Sequence, residues 1–249
     1  MKQLLYLYLI LLTSVTLAQE PAETAAPDIE AKDLSHLWLN KFPISHEGKE
    51  YKRPEPVGYF GEDYQRFFMH FISIIQNPSD KSEYLIYGKT RLKGKISEIQ
   101  GILKIEEIEV HKEEPETGII QGTYHFYEDS KEKGSGIFDG VFKSYFMLVD
   151  NQIHYDTTHW YADGYENNQF EGSWTSYTAG KSYVCNWGDY RIPNRRGFDI
   201  GAGQMGVDSK YIENGWENFE LATFPIANSE EHRKQIEAAK KKEAEVWWK

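Results

Sequence analysis

Residues 120–142 read IQGTYHFYEDSKEKGSGIFDGVF and contain two copies of a pattern that predicts the fold. In each copy, a glycine has a large apolar residue two positions away on both sides. The pattern occurs in IQGIL (99–103), IQGTY (120–124), FDGVF (138–142) and FEGSW (170–174). Alternate residues of a strand share a face, so each glycine lies beside two bulky side chains. Glycine weakens strands, and its recurrence at equivalent places indicates a sheet that bends, as in a closing barrel.

The segments around this pattern predict further strands and tight reversals. Turn-forming residues occupy 114–118, 129–136 and 150–151, where hairpins have to reverse. Upstream, residues 64–75 and 84–90 are dense in strand formers and flank a turn-rich loop, which predicts another hairpin. No helical pattern alternates with these strands, which disfavours a parallel α/β sheet. The sequence therefore predicts an all-β fold, an antiparallel meander of about eight strands that closes into a barrel or a strongly bent sheet.

The first 18 residues have the pattern of a cleavable signal peptide. Lys2 precedes an uncharged apolar run, and small residues follow as far as Ala18. The apolar run is shorter than the roughly 20 residues that a membrane-spanning helix needs. We therefore expect cleavage after Ala18, export to the periplasm or the medium, and a mature chain without a membrane span.

Composition divides the rest of the chain into three parts. Residues 19–32 are rich in Pro, Ala, Glu and Thr and have little to bury, which predicts a flexible leader. Residues 33–227 form the predicted β-barrel-like domain. In residues 228–249, Asn228 or Ser229 precedes two acids and a run rich in Ala, Lys and Glu. This order predicts a capped, mostly solvated C-terminal α-helix.

Charge and cysteine content exclude some classes of function. The formal net charge is −11, and a chain this acidic repels nucleic acid and anionic membrane surfaces. We therefore expect no nucleic-acid partner. Cys185 is the single cysteine, so no intramolecular disulfide can form. We expect its side chain to pack as a small buried hydrophobe.

Two motifs carry a resemblance to a known group of proteins. Residues 87–91 read YGKTR and residues 184–193 read VCNWGDYRIP. With these motifs the chain resembles a group of uncharacterised exported bacterial β-rich proteins over roughly residues 60–216. The glycine pattern is also similar, more loosely, to the calycin barrels of lipocalins and avidins, which implies a barrel that holds a small apolar ligand. In lipocalins the Gly-x-Trp signature marks the first strand, whereas residues 172–174 come late, so no lipocalin binding residue is carried over.

The candidate site lies in residues 174–203, which concentrate aromatic, amide and charged residues beside glycine-rich turns. One hypothesis is a ligand pocket at the barrel mouth, in which Trp187 and Tyr190 stack on a ligand and Asp189 and Arg191 orient it. The alternative is structural: Asp189 and Arg191 pair with each other to fix a corner loop, and Trp187 plugs the barrel end. The predicted ligand-binding residues are Trp174, Tyr177, Trp187, Asp189, Tyr190 and Arg191.

Other patterns fall short of a site. His154, Asp156 and His159 have metal-ligand spacing, but a metal needs three or four converging ligands with support around them, so we expect no metal. Residues 199–203 read DIGAG and lack the ending of a phosphate loop, so they predict a tight turn and no nucleotide cofactor.

The sequence assigns no catalytic residue. Asp139 and Glu171 each precede a pattern glycine and are predicted to face solvent, which leaves no carboxylate pair for glycoside hydrolysis. We expect an exported, non-catalytic protein that binds a small apolar or amphipathic ligand, or a partner in the cell envelope. Two alternatives stay open: an extracytoplasmic hydrolase with its site at residues 187–191, and a scaffold whose barrel is filled by Phe138, Phe142, Phe170 and Trp174.

Overall fold

The computed structural model describes residues 32–249. The predicted signal peptide (1–18) and all but the last residue of the predicted leader (19–32) lie outside the described residues. The described chain begins with a 3-10 helix at Ser35–Leu37. A small hairpin of β1 (Ile44–His46) and β2 (Lys49–Tyr51) follows it.

Nine further strands in the described chain form one antiparallel sheet. They are β3 (Val57–Phe60), β4 (Gln65–Gln76), β5 (Glu83–Leu92), β6 (Lys95–Val110), β7 (Thr117–Glu128), β8 (Gly136–Val149), β9 (Gln152–Tyr155), β10 (Asn167–Ser176) and β11 (Ser182–Asp189). The strands from β3 to β8 pair in sequence order, β10 pairs with both β8 and β11, and β11 pairs with β3. These pairings close an eight-stranded barrel, and β9 extends it as a hairpin with β8. The predicted all-β barrel is confirmed.

The four glycine segments lie on β6, β7, β8 and β10, with their apolar residues turned inward as predicted. Ile99, Leu103, Ile120, Tyr124, Phe138, Phe142 and Phe170 are buried, and Trp174 is partly buried. The predicted reversal at 150–151 is also confirmed, because Asp150 and Asn151 both have positive φ angles, 51° and 60°, as in a tight hairpin turn. The alternation of residues along each strand therefore predicted correctly which side chains of the four glycine segments face the barrel interior.

Aromatic side chains fill the barrel interior. Phe170 and Trp187 stack with ring centroids 4.9 Å apart, and Tyr124 packs edge-on against Trp187 at 5.1 Å. The N-terminal segment adds Trp38, whose indole packs against Phe142 and donates a 2.8 Å hydrogen bond from Nε1 to the Ser144 hydroxyl. Dense aromatic packing of this kind is the main source of stability for a domain without disulfides.

A second, smaller core lies outside the barrel wall. It joins the outer face of β3 to residues after β11, with Tyr59, Ile192, Phe198 and Trp216 all buried. Phe198 packs against Trp216 with centroids 5.0 Å apart. This core fixes the segment that leads to the C-terminal helices.

Two helices end the chain. Helix α1 (Glu217–Thr223) packs against α2 (Glu230–Glu243). Ser229, one of the two capping residues that the sequence predicted, caps α2 by accepting a hydrogen bond from the His232 amide. No helix among residues 32–249 is long and apolar enough to cross a membrane.

Candidate functional site

Trp187 and Asp189 both face the barrel interior. Trp187 is 1% exposed and Asp189 is 2% exposed. The Asp189 carboxylate accepts hydrogen bonds from the Tyr155 hydroxyl (2.9 Å) and the Asn168 amide (2.8 Å). Burial raises the pKa of Asp189 to about 6, although the nearby positive charge of Arg53 opposes the shift. The cavity beside Trp187 and Asp189 measures about 10 Å³, which is room for about one water molecule.

Arg191 pairs with Asp199 and not, as the structural alternative predicted, with Asp189. Tyr190 has a φ of 66°, which breaks the strand alternation and turns Arg191 away from the side that Asp189 occupies. The Arg191 guanidinium also donates from Nη2 to the carbonyls of residues 201–203, at 3.0, 3.1 and 2.7 Å. The glycine-rich segment 199–203, predicted as a tight turn, is therefore held by an ion pair and hydrogen bonds to a buried arginine.

The remaining predicted residues lie at two separate places. The Tyr190 hydroxyl accepts a 2.9 Å hydrogen bond from Trp160 Nε1. At the other end of the β10–β11 pair, Trp174 Nε1 donates to the Glu128 carboxylate at 2.8 Å. The Tyr177 hydroxyl donates to the Glu128 carbonyl at 3.3 Å. The six residues thus stay close in sequence without converging on one pocket.

A groove of about 910 Å³ lies outside the barrel. Its floor includes Arg66 and Phe68 on the outer face of β4, and α1, α2 and the C-terminal residues form one wall. Residues 160–163, 165 and 203–205 also line the groove. Of the six predicted residues, Tyr190 and Arg191 line this groove.

Aromatic rings cover much of the groove. Trp160, Tyr161, Tyr165, Tyr190, Phe68, Phe219, Trp247 and Trp248 line it. Tyr161 stands at the rim with 79% of its surface exposed. Trp248 stacks flat on His70, with ring centroids 3.7 Å apart and an interplanar angle of 16°. The His70 ring is in turn held by a 2.7 Å contact between its Nδ1 and the Glu55 carboxylate. The C-terminal tryptophans therefore form a wall that is fixed to the barrel.

Arg66 is one of three buried arginines that line the groove, with Arg53 and Arg191. Its guanidinium lies 4.3 Å from the centroid of the Trp216 ring and 5.1 Å from that of Phe219. Nη2 contacts the Glu243 carboxylate at 3.2 Å, while Nε and Nη1 have no hydrogen-bond partner among residues 32–249. Burial lowers the pKa of Arg66 to about 10, opposed by the charge of Glu243 and reinforced by that of Arg91.

No protein-family model, no curated protein and no solved structure matches the chain. The closed eight-stranded antiparallel barrel is consistent with the calycin-like architecture that the sequence resembles. The motifs at 87–91 and 184–193 remain a predicted resemblance. The chemistry of the groove is accordingly argued from its own residues.

The other candidate residues form no metal centre in the described chain. Residues 32–249 contain no group of three or more His, Cys, Asp or Glu side chains that could hold a metal ion. Asp156 instead accepts a 2.8 Å hydrogen bond from the Thr158 amide in a local turn. Asp139 pairs with His125 across the outer face of the barrel, and Glu171 accepts a hydrogen bond from Asn194. Cys185 is fully buried, and burial raises the pKa of its thiol.

Proposed function

We propose that this protein is an exported, non-catalytic binding protein that holds a small amphipathic ligand in the outer groove. The observation that carries the proposal is the groove itself, about 910 Å³ in volume and walled by aromatic rings. Small-molecule sites are typically concave, about 300–1,000 Å³ in volume and lined by aromatic and apolar side chains with a few placed polar groups. The groove has both the size and this composition.

Over the described residues, the barrel interior is densely packed. Its side chains interdigitate around Tyr124, Phe170 and Trp187, and the cavity beside Trp187 is about 10 Å³. Calycin-like barrels often hold their ligand inside the barrel. In this protein, the ligand binds in the groove on the outside of the barrel wall.

The polar residues of the groove explain why an amphipathic ligand fits it better than a purely apolar one. The lining includes five basic side chains (Lys52, Arg53, Arg66, Arg191 and Lys240) and four acidic ones (Glu55, Asp163, Glu243 and Glu245). A ligand can lay its apolar part on the tryptophans and keep its polar part near these charges. In a chain of net charge −11, this locally balanced lining also reduces repulsion of an anion.

The two alternatives have unequal support. A hydrolase at residues 187–191 has less, because Trp187 and Asp189 face the packed interior and Tyr190 and Arg191 of this segment line the groove instead. The filled interior favours the scaffold alternative, in which the groove stays without a ligand. Binding experiments separate the scaffold from the binding protein.

The direct test is a fluorescence titration with N-phenyl-1-naphthylamine, a neutral amphiphile that brightens in apolar sites. We expect saturable binding with one site per chain, weakened about tenfold by Trp248→Ala and by Tyr161→Ala through loss of stacking area. Tyr127→Ala is the matched control, since Tyr127 is an exposed aromatic residue on the outer face of β7 and outside the groove. Absence of saturable binding to the wild-type protein would reject the proposal and leave the scaffold.

A further inference from the structure

We infer that the ligand of the groove carries an anionic group, a carboxylate, sulfonate or phosphate, and that Arg66 binds it. The inference rests on the proposed function, because it assigns the polar end of the ligand to one side chain of the same groove. It commits to a chemical class that the aromatic walls alone do not specify.

The first step of the argument is the unmet hydrogen-bonding capacity of Arg66. A guanidinium has five N–H donors, and a buried donor without an acceptor destabilises the folded protein. Arg66 is 5% exposed, yet its Nε and Nη1 lack partners among the described residues. Arg66 lines the groove, but neighbouring side chains cover both nitrogens, so an acceptor supplied by a ligand reaches them only when one of these side chains moves aside.

The second step is the rigidity of the Arg66 guanidinium. Rings of Trp216 and Phe219 lie 4.3 and 5.1 Å from it, and Phe68 lies 4.7 Å away. Cation–π contacts of this kind hold the guanidinium in place without using its N–H groups. A fixed, desolvated cation interacts with an anion more strongly than a mobile one in water does.

The third step is the charge around Arg66. The guanidinium groups of Arg66 and Arg91 both lie over the Phe68 ring, 4.7 and 4.0 Å from its centroid, although Arg66 lines the groove and Arg91 does not. Glu243 and Glu245 each contact one of these arginines, at 3.2 and 3.3 Å. An anionic ligand therefore has to compete with, or supplement, the Glu243 carboxylate. Removing the charge of Glu243 should therefore change the affinity for an anionic ligand, and this change tests the inference.

The experiment compares two fluorescent probes that differ by one charged group. N-phenyl-1-naphthylamine is neutral, and 1-anilinonaphthalene-8-sulfonate is the same skeleton with a sulfonate. We expect the wild-type protein to bind the sulfonate about tenfold more tightly than the neutral probe. Arg66→Met should abolish this preference, so that the ratio of the two affinities falls to about one. Arg233→Met on α2 is the matched control, since Arg233 is an exposed arginine outside the groove lining.

A second variant covers the case in which Arg66→Met does not fold. Glu243→Gln keeps a polar side chain beside Arg66 but removes the competing charge, so it should raise the ratio of sulfonate affinity to neutral-probe affinity several-fold. Because the sulfonate probe also binds partly unfolded proteins, near-ultraviolet circular dichroism has to show native tertiary packing in each variant before the affinities are compared.

The outcomes separate the inference from the proposed function. If both probes bind wild type equally, and Glu243→Gln leaves their ratio unchanged, the anion inference is overturned and the groove still binds amphiphiles. If neither probe binds saturably, the proposed function itself fails.

Discussion

Gly140 on β8 and Gly172 on β10 lie directly opposite each other at the seam that closes the barrel. A Cβ atom on either glycine would lie 2.8 Å from the Cα of the other. The hydroxyl of Tyr124 occupies the space in front of both. The close approach of two backbones and a buried tyrosine explains why the repeated pattern requires glycine here.

This relationship predicts that Gly172→Ala destabilises the protein strongly. The new methyl group would overlap the carbonyl oxygen of Asp139, so we expect the free energy of unfolding to fall by about 3 kcal/mol. Urea unfolding followed by tryptophan fluorescence measures the change. Val141→Ala, at an exposed position beside the seam, is the control and should change stability by no more than about 0.5 kcal/mol. Equal unfolding midpoints for the two variants would show that the seam tolerates a side chain.

Arg191→Met should loosen the loop that the arginine holds. The substitution removes the ion pair to Asp199 and the hydrogen bonds to the carbonyls of residues 201–203. Because Asp199 is buried and keeps a 3.2 Å contact with Arg195, we expect a loss of about 3 kcal/mol and not complete unfolding.

Hydrogen exchange measures the local effect of Arg191→Met. The amides of Gly201 and Gly206, which donate to Asp199, should exchange faster than in the wild-type protein. Arg196→Met, at an exposed arginine nearby, serves as the control. Unchanged protection of both amides would contradict the assigned role of Arg191.

Asp189 should make stability depend on pH. Its pKa in the folded protein is raised to about 6, above the ordinary value of 3.8, because burial favours the neutral acid. The neutral form therefore stabilises the fold fully below about pH 4, and this contribution is lost as the pH rises through about 6. The asparagine of the Asp189→Asn variant is neutral at every pH, so the variant keeps this contribution to stability as the pH rises.

Unfolding titrations of wild type and Asp189→Asn at pH 4 and pH 7 measure this contribution. The free energy of unfolding of the variant, minus that of wild type, should increase by up to about 3 kcal/mol from the lower to the higher pH. A difference that stays constant or decreases over this range would show that the buried carboxyl is not the group responsible.

Export is tested by the N-terminus of the mature protein. When the full chain is expressed in a bacterium with an intact export pathway, we expect an extracytoplasmic protein that begins at Gln19. Intact mass spectrometry of the purified protein gives the cleavage position. A protein that stays in the cytoplasm and keeps residues 1–18 would contradict the signal-peptide prediction.

The fold was predictable because strand alternation is a local property of the sequence. The glycine pattern and the turn at Asp150 follow from residues a few positions apart, and both agree with the structure. Closure between β10 and β8, and the insertion of Trp38 into the barrel, depend on contacts between distant segments. Patterns within a few neighbouring residues cannot predict contacts between segments that are far apart in the sequence.

The candidate site was harder to predict for the same reason. Residues 187–191 are close in sequence, but the positive φ of Tyr190 sends Asp189 inward and Arg191 outward. The missed groove residue Arg66 could have been noticed, because residues 66–71 read RFFMHF and alternate between two faces. The contact between Arg66 and Glu243 joins residues 177 positions apart, which no local pattern predicts.

The central claim is that the ligand binds in the outer groove and not inside the barrel, and the seven tryptophans can test it in one NMR titration. Indole N–H signals are assigned by substitution, and N-phenyl-1-naphthylamine is added. We predict saturable shifts for Trp160, Trp247 and Trp248, which line the groove, and unchanged signals for Trp38 and Trp187 in the interior. Shifts at Trp38 and Trp187 with silent groove signals would contradict the account.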